Sequence, residues 1–217
     1  IIGEPSRWDR ITLGYKGIAW AEVRIRRPSA HPAARLESAP EAAIRTWKKI
    51  LAWAESFNAD REKVFDQVLP SLREFSSGED GLETWACLRI DTRLPIDFPP
   101  PDWYTLLQET LQETDDIPFE VKQYRYPIPA FKGEKNGPLI RAFLAEIRAA
   151  GANPGFVLKS GTADLNIVAP AWGCPAIAYG PGDSTLDHTP NEHISLTEYE
   201  QSVGVLEAVL RNLSQNG

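Results

Sequence analysis

From Ile18 to Arg26 the chain alternates without a break: Ala19, Ala21, Val23 and Ile25 share one side, and Trp20, Glu22, Arg24 and Arg26 share the other. Successive side chains of an extended chain point to opposite faces, so this run predicts a half-buried strand whose apolar side must meet a second layer. Ser38-Ala39-Pro40-Glu41 reads as a capping box with proline in the first turn, where its missing N–H costs nothing. Ile44, Trp47, Leu51 and Ala54 continue at helical spacing to about Phe57. Residues 64–73 and 85–91 read as two more strands, separated by the turn-rich stretch from Ser76 to Gly81. After the prolines from Pro95 to Pro101, Trp103, Leu106, Leu107 and Leu111 mark a second helix, and residues 119–126 a fourth strand. The order β-α-β-β-α-β across about 17–127 is that of a ferredoxin-like split βαβ layer.

The remainder has a different rhythm. Leu139, Ile140, Phe143, Leu144 and Ile147 predict a helix ended by Gly151, and residues 156–159 and 176–179 are short apolar strands. Ser195-Leu196-Thr197-Glu198 is a second capping box, opening a last helix with Tyr199, Val203, Leu206, Leu210 and Leu213 on one face. Alternating strands and helices predict a parallel α/β layer, which the first dozen residues join, so that the ferredoxin-like unit is an insertion.

Composition excludes several classes. A net charge of −7 argues against a general nucleic-acid binder, and no apolar run approaches the roughly 20 residues of a membrane span. Cys87 and Cys174 lie far apart with no CxxC spacing, which fits a reduced, cytoplasmic protein better than a disulfide scaffold. Cys174 reads as a buried apolar filler. There is no methionine, and Ile1-Ile2-Gly3-Glu4-Pro5-Ser6 reads as the end of a strand running into a turn, so trimming or truncation is expected.

Chemistry has few places to sit. The histidines are His31, His188 and His193, and no HExxH, P-loop or GxSxG element is present. Ser160-Gly161-Thr162-Ala163-Asp164 could cradle an anion. The stretch from Gly180 to His193 sets carboxylates and two imidazoles in a loop after a short apolar strand, where open α/β sheets carry their sites. The alternative is a solvated loop that caps the last helix.

Five segments, taken in order, resemble a large dizinc family containing acetylornithine deacetylase, succinyl-diaminopimelate desuccinylase and related carboxypeptidases. They are Gly3-Glu4-Pro5-Ser6, Arg27-Pro28-Ser29-Ala30-His31, Asp91-Thr92-Arg93-Leu94-Pro95, Ser160-Gly161-Thr162-Ala163-Asp164, and Thr185-Leu186-Asp187-His188-Thr189-Pro190-Asn191-Glu192. Leu13-Gly14-Tyr15-Lys16-Gly17, Phe65-Asp66-Gln67 and Ala171-Trp172-Gly173-Cys174-Pro175 are most similar to the carrier-protein-dependent lysine and ornithine hydrolases of amino-acid biosynthesis. These release lysine or ornithine from the terminal glutamate of a small acidic amino-group carrier protein.

The resemblance implies an α/β zinc-peptidase-like layer from 1–16 and 128–217, forming part of a catalytic domain, with 17–127 as an α+β lid and dimerisation domain. It implies Glu4 and His188 as ligands in a two-zinc site where cobalt can substitute. His31 would polarise the scissile carbonyl from the partner subunit of a homodimer, and Arg93 would grip the substrate carboxylate. Gly161 and Thr162 would bind the substrate's backbone carboxylate, with Asn166 and Asp164 orienting that loop; His193 is a structural loop residue. Without the resemblance, Glu4 reads as a turn cap, and His31 and Arg93 as surface residues.

The implied reaction is hydrolysis of an amide in a small or carrier-linked amino-acid substrate, with no nucleic acid or membrane partner. Alternatives are an N-acyl amino-acid deacylase, a dizinc carboxypeptidase, or a non-catalytic dimerisation module. The family's His-x-Asp pair, bridging aspartate and Glu-Glu pair have no counterpart here, so the chain alone is expected to be inactive. The basic run from Arg24 to Lys49 is expected to steer an acidic carrier towards the site.

Overall fold

A computed structural model describes residues 1–34, 36–112 and 118–215. In chain order its elements are β1 (Arg10–Tyr15), β2 (Gly17–Pro28), α1 (Ala39–Asn58), β3 (Leu69–Glu79), β4 (Glu83–Leu94), α2 (Pro100–Gln112) and β5 (Phe119–Gln123). They continue with β6 (Phe131–Lys132), α3 (Pro138–Ala149), β7 (Gly155–Lys159), α4 (Leu165–Trp172) and α5 (Leu196–Gln215). Two compact units result: Lys16–Ala130, and Ile1–Tyr15 with Phe131–Gly217.

In Lys16–Ala130 the antiparallel sheet has the order β3-β4-β2-β5, the arrangement expected of a βαββαβ unit. The pleat of β2 sends Ala19, Ala21, Val23 and Ile25 into one core with Leu88 and Ile90 of β4, beneath α1 and α2. Trp103 and Leu107 of α2 are fully buried there, and burying a side chain of this size contributes roughly 1.5–3 kcal/mol. Helix α1 starts at the capping box: Glu41 N–H donates to Ser38 Oγ at 3.5 Å, and Ser38 N–H donates to the Glu41 carboxylate at 2.8 Å.

Several boundaries differ from expectation, among them that of β5, which ends at Gln123 rather than at 126. The strand expected from Val64 begins at Leu69, because Val64–Asp66 forms a 3-10 turn. Its carbonyls serve the fully buried ammonium of Lys16, which donates to Val64 O at 3.1 Å, Phe65 O at 2.9 Å and also Gln67 O. A buried cation without acceptors would be far costlier than a shortened strand. The stretch from Ser76 to Gly81, expected as a turn, is mostly strand, since β3 stays paired with β4 as far as Glu79 opposite Thr84. Asp80 makes the turn, accepting from the Leu82 and Glu83 amides at 3.0 and 2.8 Å.

Glu22 also departs from expectation: it lies on the polar side of β2, yet is only 5% exposed. Its carboxylate accepts from Arg24 Nε at 2.7 Å and Arg89 Nε at 3.0 Å.

In the other unit β1 is central, antiparallel to β6 and parallel to β7, giving a mixed sheet rather than an all-parallel one. The stretch expected as a strand at 176–179 makes only single bridges, Ala178 pairing with Ile2 and Thr12. A Cβ on Gly14 would lie 2.2 Å from Phe131 O, so only glycine permits this pairing of β1 with β6. Ile11 and Leu13 of β1 pack with Phe143 and Ile147 of α3 and with Val205 and Val209 of α5. Of the apolar face expected of the last helix, Leu206 and Leu213 pack against the core, but the fully buried stripe is a neighbouring one. Ser202, Val205 and Val209 face the core, whereas Tyr199, Val203 and Leu210 are exposed. Packing against α3 selects a stripe rotated from the one that periodicity favours. Cys174, expected as buried filler, is exposed just after α4 ends at the left-handed Gly173.

Burial works to raise the Glu22 carboxyl, but the hydrogen bonds from Arg89 and Arg24 outweigh it and hold the group below its ordinary value. A carboxyl depressed in the folded state adds stability above its unfolded value and loses it as pH falls through the folded value. Glu22→Gln is therefore expected to cost on the order of 2 kcal/mol at neutral pH. It should also flatten the loss of stability at acid pH, starting near the unfolded value of 4.5. Urea midpoints from neutral to acid pH measure both; parallel curves for the two proteins would contradict it.

Candidate functional site

In the unit built from 1–15 and 131–217, the Gly3–Ser6 turn is fastened on several sides. Ser6 N–H donates to Gly180 O at 2.9 Å, and Arg7 N–H to Gly182 O at 3.0 Å. The buried Ser6 hydroxyl meets Thr12 Oγ1 at 2.7 Å. A Cβ on Gly180 would lie 2.9 Å from Glu4 O, so the 180s loop approaches this turn only because residue 180 is glycine. Arg7 holds a positive φ of 66°, and its guanidinium reaches Asp183 at 2.6 Å. Asp183 also accepts from the Thr185 amide and hydroxyl at 2.9 and 2.8 Å. These donors hold its carboxyl well below the usual range.

Lys159, the last residue of β7, donates its ammonium to Pro5 O. Burial pushes Lys159 below its ordinary value, while Asp187, Glu4 and Asp183 pull it back. Burial pushes the Glu4 carboxyl up; Lys159 opposes this, and Asp164 and Asp187 add to it. Glu4 therefore sits in one electrostatic neighbourhood with two further carboxylates and an ammonium. Beyond β7, Ala163 N–H donates to Asn166 Oδ1 at 3.1 Å, and the buried Asn166 amide donates to Tyr15 O at 3.2 Å. Asn166 thus shapes the loop that carries Gly161 and Thr162. Gly161 has open space where a Cβ would stand.

His188 is exposed and left-handed, with φ of 60°. Its amide donates to the Glu192 carboxylate at 3.0 Å, which closes the loop beneath it. Non-glycine residues in this conformation cost energy and recur where function fixes a side chain. His193 is exposed, its Nδ1 2.7 Å from Asn191 O. The second capping box is only half made: Glu198 N–H donates to Ser195 Oγ at 3.4 Å. The Glu198 carboxylate instead accepts from the amides of Trp8 at 3.1 Å and Gly182 at 3.3 Å, tying the helix start to the loops of the site.

His31 and Arg93 belong to the other unit. The exposed His31 accepts from Ala33 N–H through Nδ1 at 3.2 Å. In the neutral ring this assigns the proton to Nε2. Arg93, near the end of β4, is half-buried; burial lowers its guanidinium, Asp91 offsets this, and Arg73 adds to it. Part of the charge of the basic run from Arg24 to Lys49 is paired. Arg27 and Arg45 both close on Glu37, at 2.9 and 2.6 Å, and Arg35 lies outside the described residues.

Sequence reasoning missed Lys159 and Arg7, which hold the Glu4 turn, Arg7 by reaching Asp183 of the 180–193 stretch. A lysine ending a strand and an arginine just past a turn carry no distinctive spacing.

A zinc ion takes four donors, or three and a water. Among the described residues no group of three or more His, Cys, Asp or Glu could hold a metal ion. Glu4 and His188 on their own therefore do not fit zinc.

The sequence pattern of peptidase family M20/M25/M40 matches residues 1–212, and the chain belongs to that family. It is 36% identical to LysW-lysine hydrolase of Deinococcus radiodurans, over 98% of this chain and 59% of that protein. It is 37% identical to a putative LysW-lysine/LysW-ornithine hydrolase of Pyrococcus horikoshii, over 98% of this chain and 58% of that one. The chain thus spans a little under three-fifths of the length of these relatives. In fold it is similar to aminopeptidase PepT from Bacillus cereus, with a TM-score of 0.71 at 19% identity, covering 98% of this chain and 56% of that one. It is likewise similar to an M20 family metallo-carboxypeptidase from Sulfolobus solfataricus, with a TM-score of 0.66 at 16% identity, covering 93% and 59%.

The 217-residue polypeptide, loaded with zinc and dialysed, is expected to retain less than one tightly bound ion per chain. Elemental analysis checks this, and two retained ions would show that its donors converge after all.

Proposed function

We propose that the chain serves a cytoplasmic, metal-dependent hydrolase that releases lysine or ornithine from an amino-group carrier protein in amino-acid biosynthesis. The observation that carries this reading is the 36–37% identity to LysW-lysine hydrolases, which runs over 98% of the chain and therefore through both units. On this reading Glu4 and His188 would be two donors of a zinc or cobalt set that other residues complete. The Nε2–H of His31 suits the oxygen of an attacked carbonyl, Arg93 suits a substrate carboxylate, and the Gly161–Thr162 loop offers an amide and a hydroxyl. Consistent with a protein in solution, no helix among the described residues is long and apolar enough to cross a membrane.

A homodimer through Lys16–Ala130 belongs to the same proposal. Strand β3 ends the sheet, 11 residues long, and its own Phe75 is exposed, as is Ile44 of α1. A long edge with apolar neighbours is the surface that pairs with another copy.

The natural gene product containing these residues is expected to release lysine from carrier-linked substrate faster than from N-acetyl-lysine. His31→Ala should cut turnover by about two to three orders of magnitude, with metal content unchanged. Faster cleavage of the small substrate would move the assignment to a plain deacylase. Phe75→Asp with Ile44→Asp should yield a monomer in sedimentation; an unchanged dimer would place the interface elsewhere.

A further inference from the structure

We propose that the open face of the Lys16–Ala130 sheet is a docking surface for an acidic polypeptide, received in a hollow framed by Arg24, Arg26 and Arg89. The register of β2 against β4 sets Glu22 opposite Arg89, Arg24 opposite Cys87 and Arg26 opposite Trp85, all on the side away from the core beneath the helices. These side chains line a hollow of about 310 Å³. A second hollow of about 240 Å³ shares Glu74 and Arg89 with it and adds Arg73, Asp91, Tyr124 and Arg125.

Glu22 makes this a built surface. It is 5% exposed, and it takes the inner Nε of both Arg24 and Arg89, at 2.7 and 3.0 Å. Each guanidinium is thereby held in place while terminal nitrogens are left for other acceptors. Arg89 gives one of these to Glu74 at 2.7 Å, and Arg26 meets Glu83 only at 3.4 Å. The side chains of Arg24, Arg26 and Arg73 stay 49%, 64% and 64% exposed. Desolvated carboxylates arriving here would meet donors already ordered, which lowers the entropy cost of binding.

Charge selects the partner. Across the two hollows five arginines face three carboxylates, one of them buried, on a chain whose net charge is −7. Trp85 is exposed, and Arg125 lies over the Trp20 and Tyr124 rings at 5.8 and 5.9 Å. Arginine and large aromatics are the residues that carry protein–protein binding energy. Two joined hollows suit an extended segment with spaced carboxylates better than one small anion. The charge pattern alone carries the proposal, and it holds whether or not the hydrolase reading does. If that reading is right, the acidic carrier is the natural occupant.

The test is binding without turnover. Hexaglutamate and hexaglutamine are titrated calorimetrically into the 217-residue chain at low salt and at about 0.3 M salt, where screening shortens the reach of charges. Alkylation of Cys87, which lines the hollow, is followed with the exposed Cys174 as internal reference. Hexaglutamate is expected to bind at low salt, weaken at high salt and slow alkylation of Cys87 alone; hexaglutamine should do none of these. Arg26→Ala and Arg73→Ala should each weaken binding roughly two- to fivefold. No binding at low salt, binding indifferent to both substitutions, or no protection of Cys87 would overturn the proposal. So would displacement of hexaglutamate by an equal charge of single-stranded oligonucleotide at lower concentration.

Discussion

Strand β2 has to satisfy two opposite demands with one backbone. Hydrogen-bonded on both edges, to β4 and β5, it presents small and branched apolar side chains to a core on one face and charges on the other. The period of two in its sequence makes this possible, and a slip of one residue would put Arg24 under the helices and Val23 in water. The packing of α1 and α2, and the placement of Arg93 near the end of neighbouring β4, follow from that register. So does the arginine-lined face, because Glu22 can be buried there only by recruiting Arg24 from its own strand and Arg89 from the next.

The Glu4 turn is held by a different principle. It is irregular backbone, so its polar groups must be satisfied one at a time by neighbouring loops rather than by a ladder. Gly180 O, Gly182 O, the Lys159 ammonium and the Thr12 hydroxyl each take a share. Such a turn can set a carboxylate accurately among others without a helix or strand to carry it. It also depends on residues distant in sequence, such as Lys159, that have no reason to stand out when the chain is read alone.

That difference marks how much was legible. Periodicity and capping chemistry are local, so the strand at Ile18–Arg26, the capped start of α1 and the βαββαβ order could be read directly. Motif resemblance reached the family and the loops that carry Glu4, Gly161 and His188. It did not reach what holds them. The burial of Lys16 could not be foreseen either, nor the 3-10 turn that its ammonium draws together, because both are decided by acceptors some fifty residues away.

The last helix shows where local rules end. Its sequence determined that a helix would start after Ser195 and that it would be amphipathic, since both depend on neighbours within a turn or two. Tertiary packing decided how the helix would be turned, burying Ser202, Val205 and Val209 fully, Leu206 and Leu213 in part, and leaving Val203 and Leu210 outside. The same holds for Glu22 and Cys174. Sequence determined their chemistry and their place along an element, while burial depended on what the rest of the chain brought alongside. Water is excluded by neighbours in space, and only the folded chain supplies those.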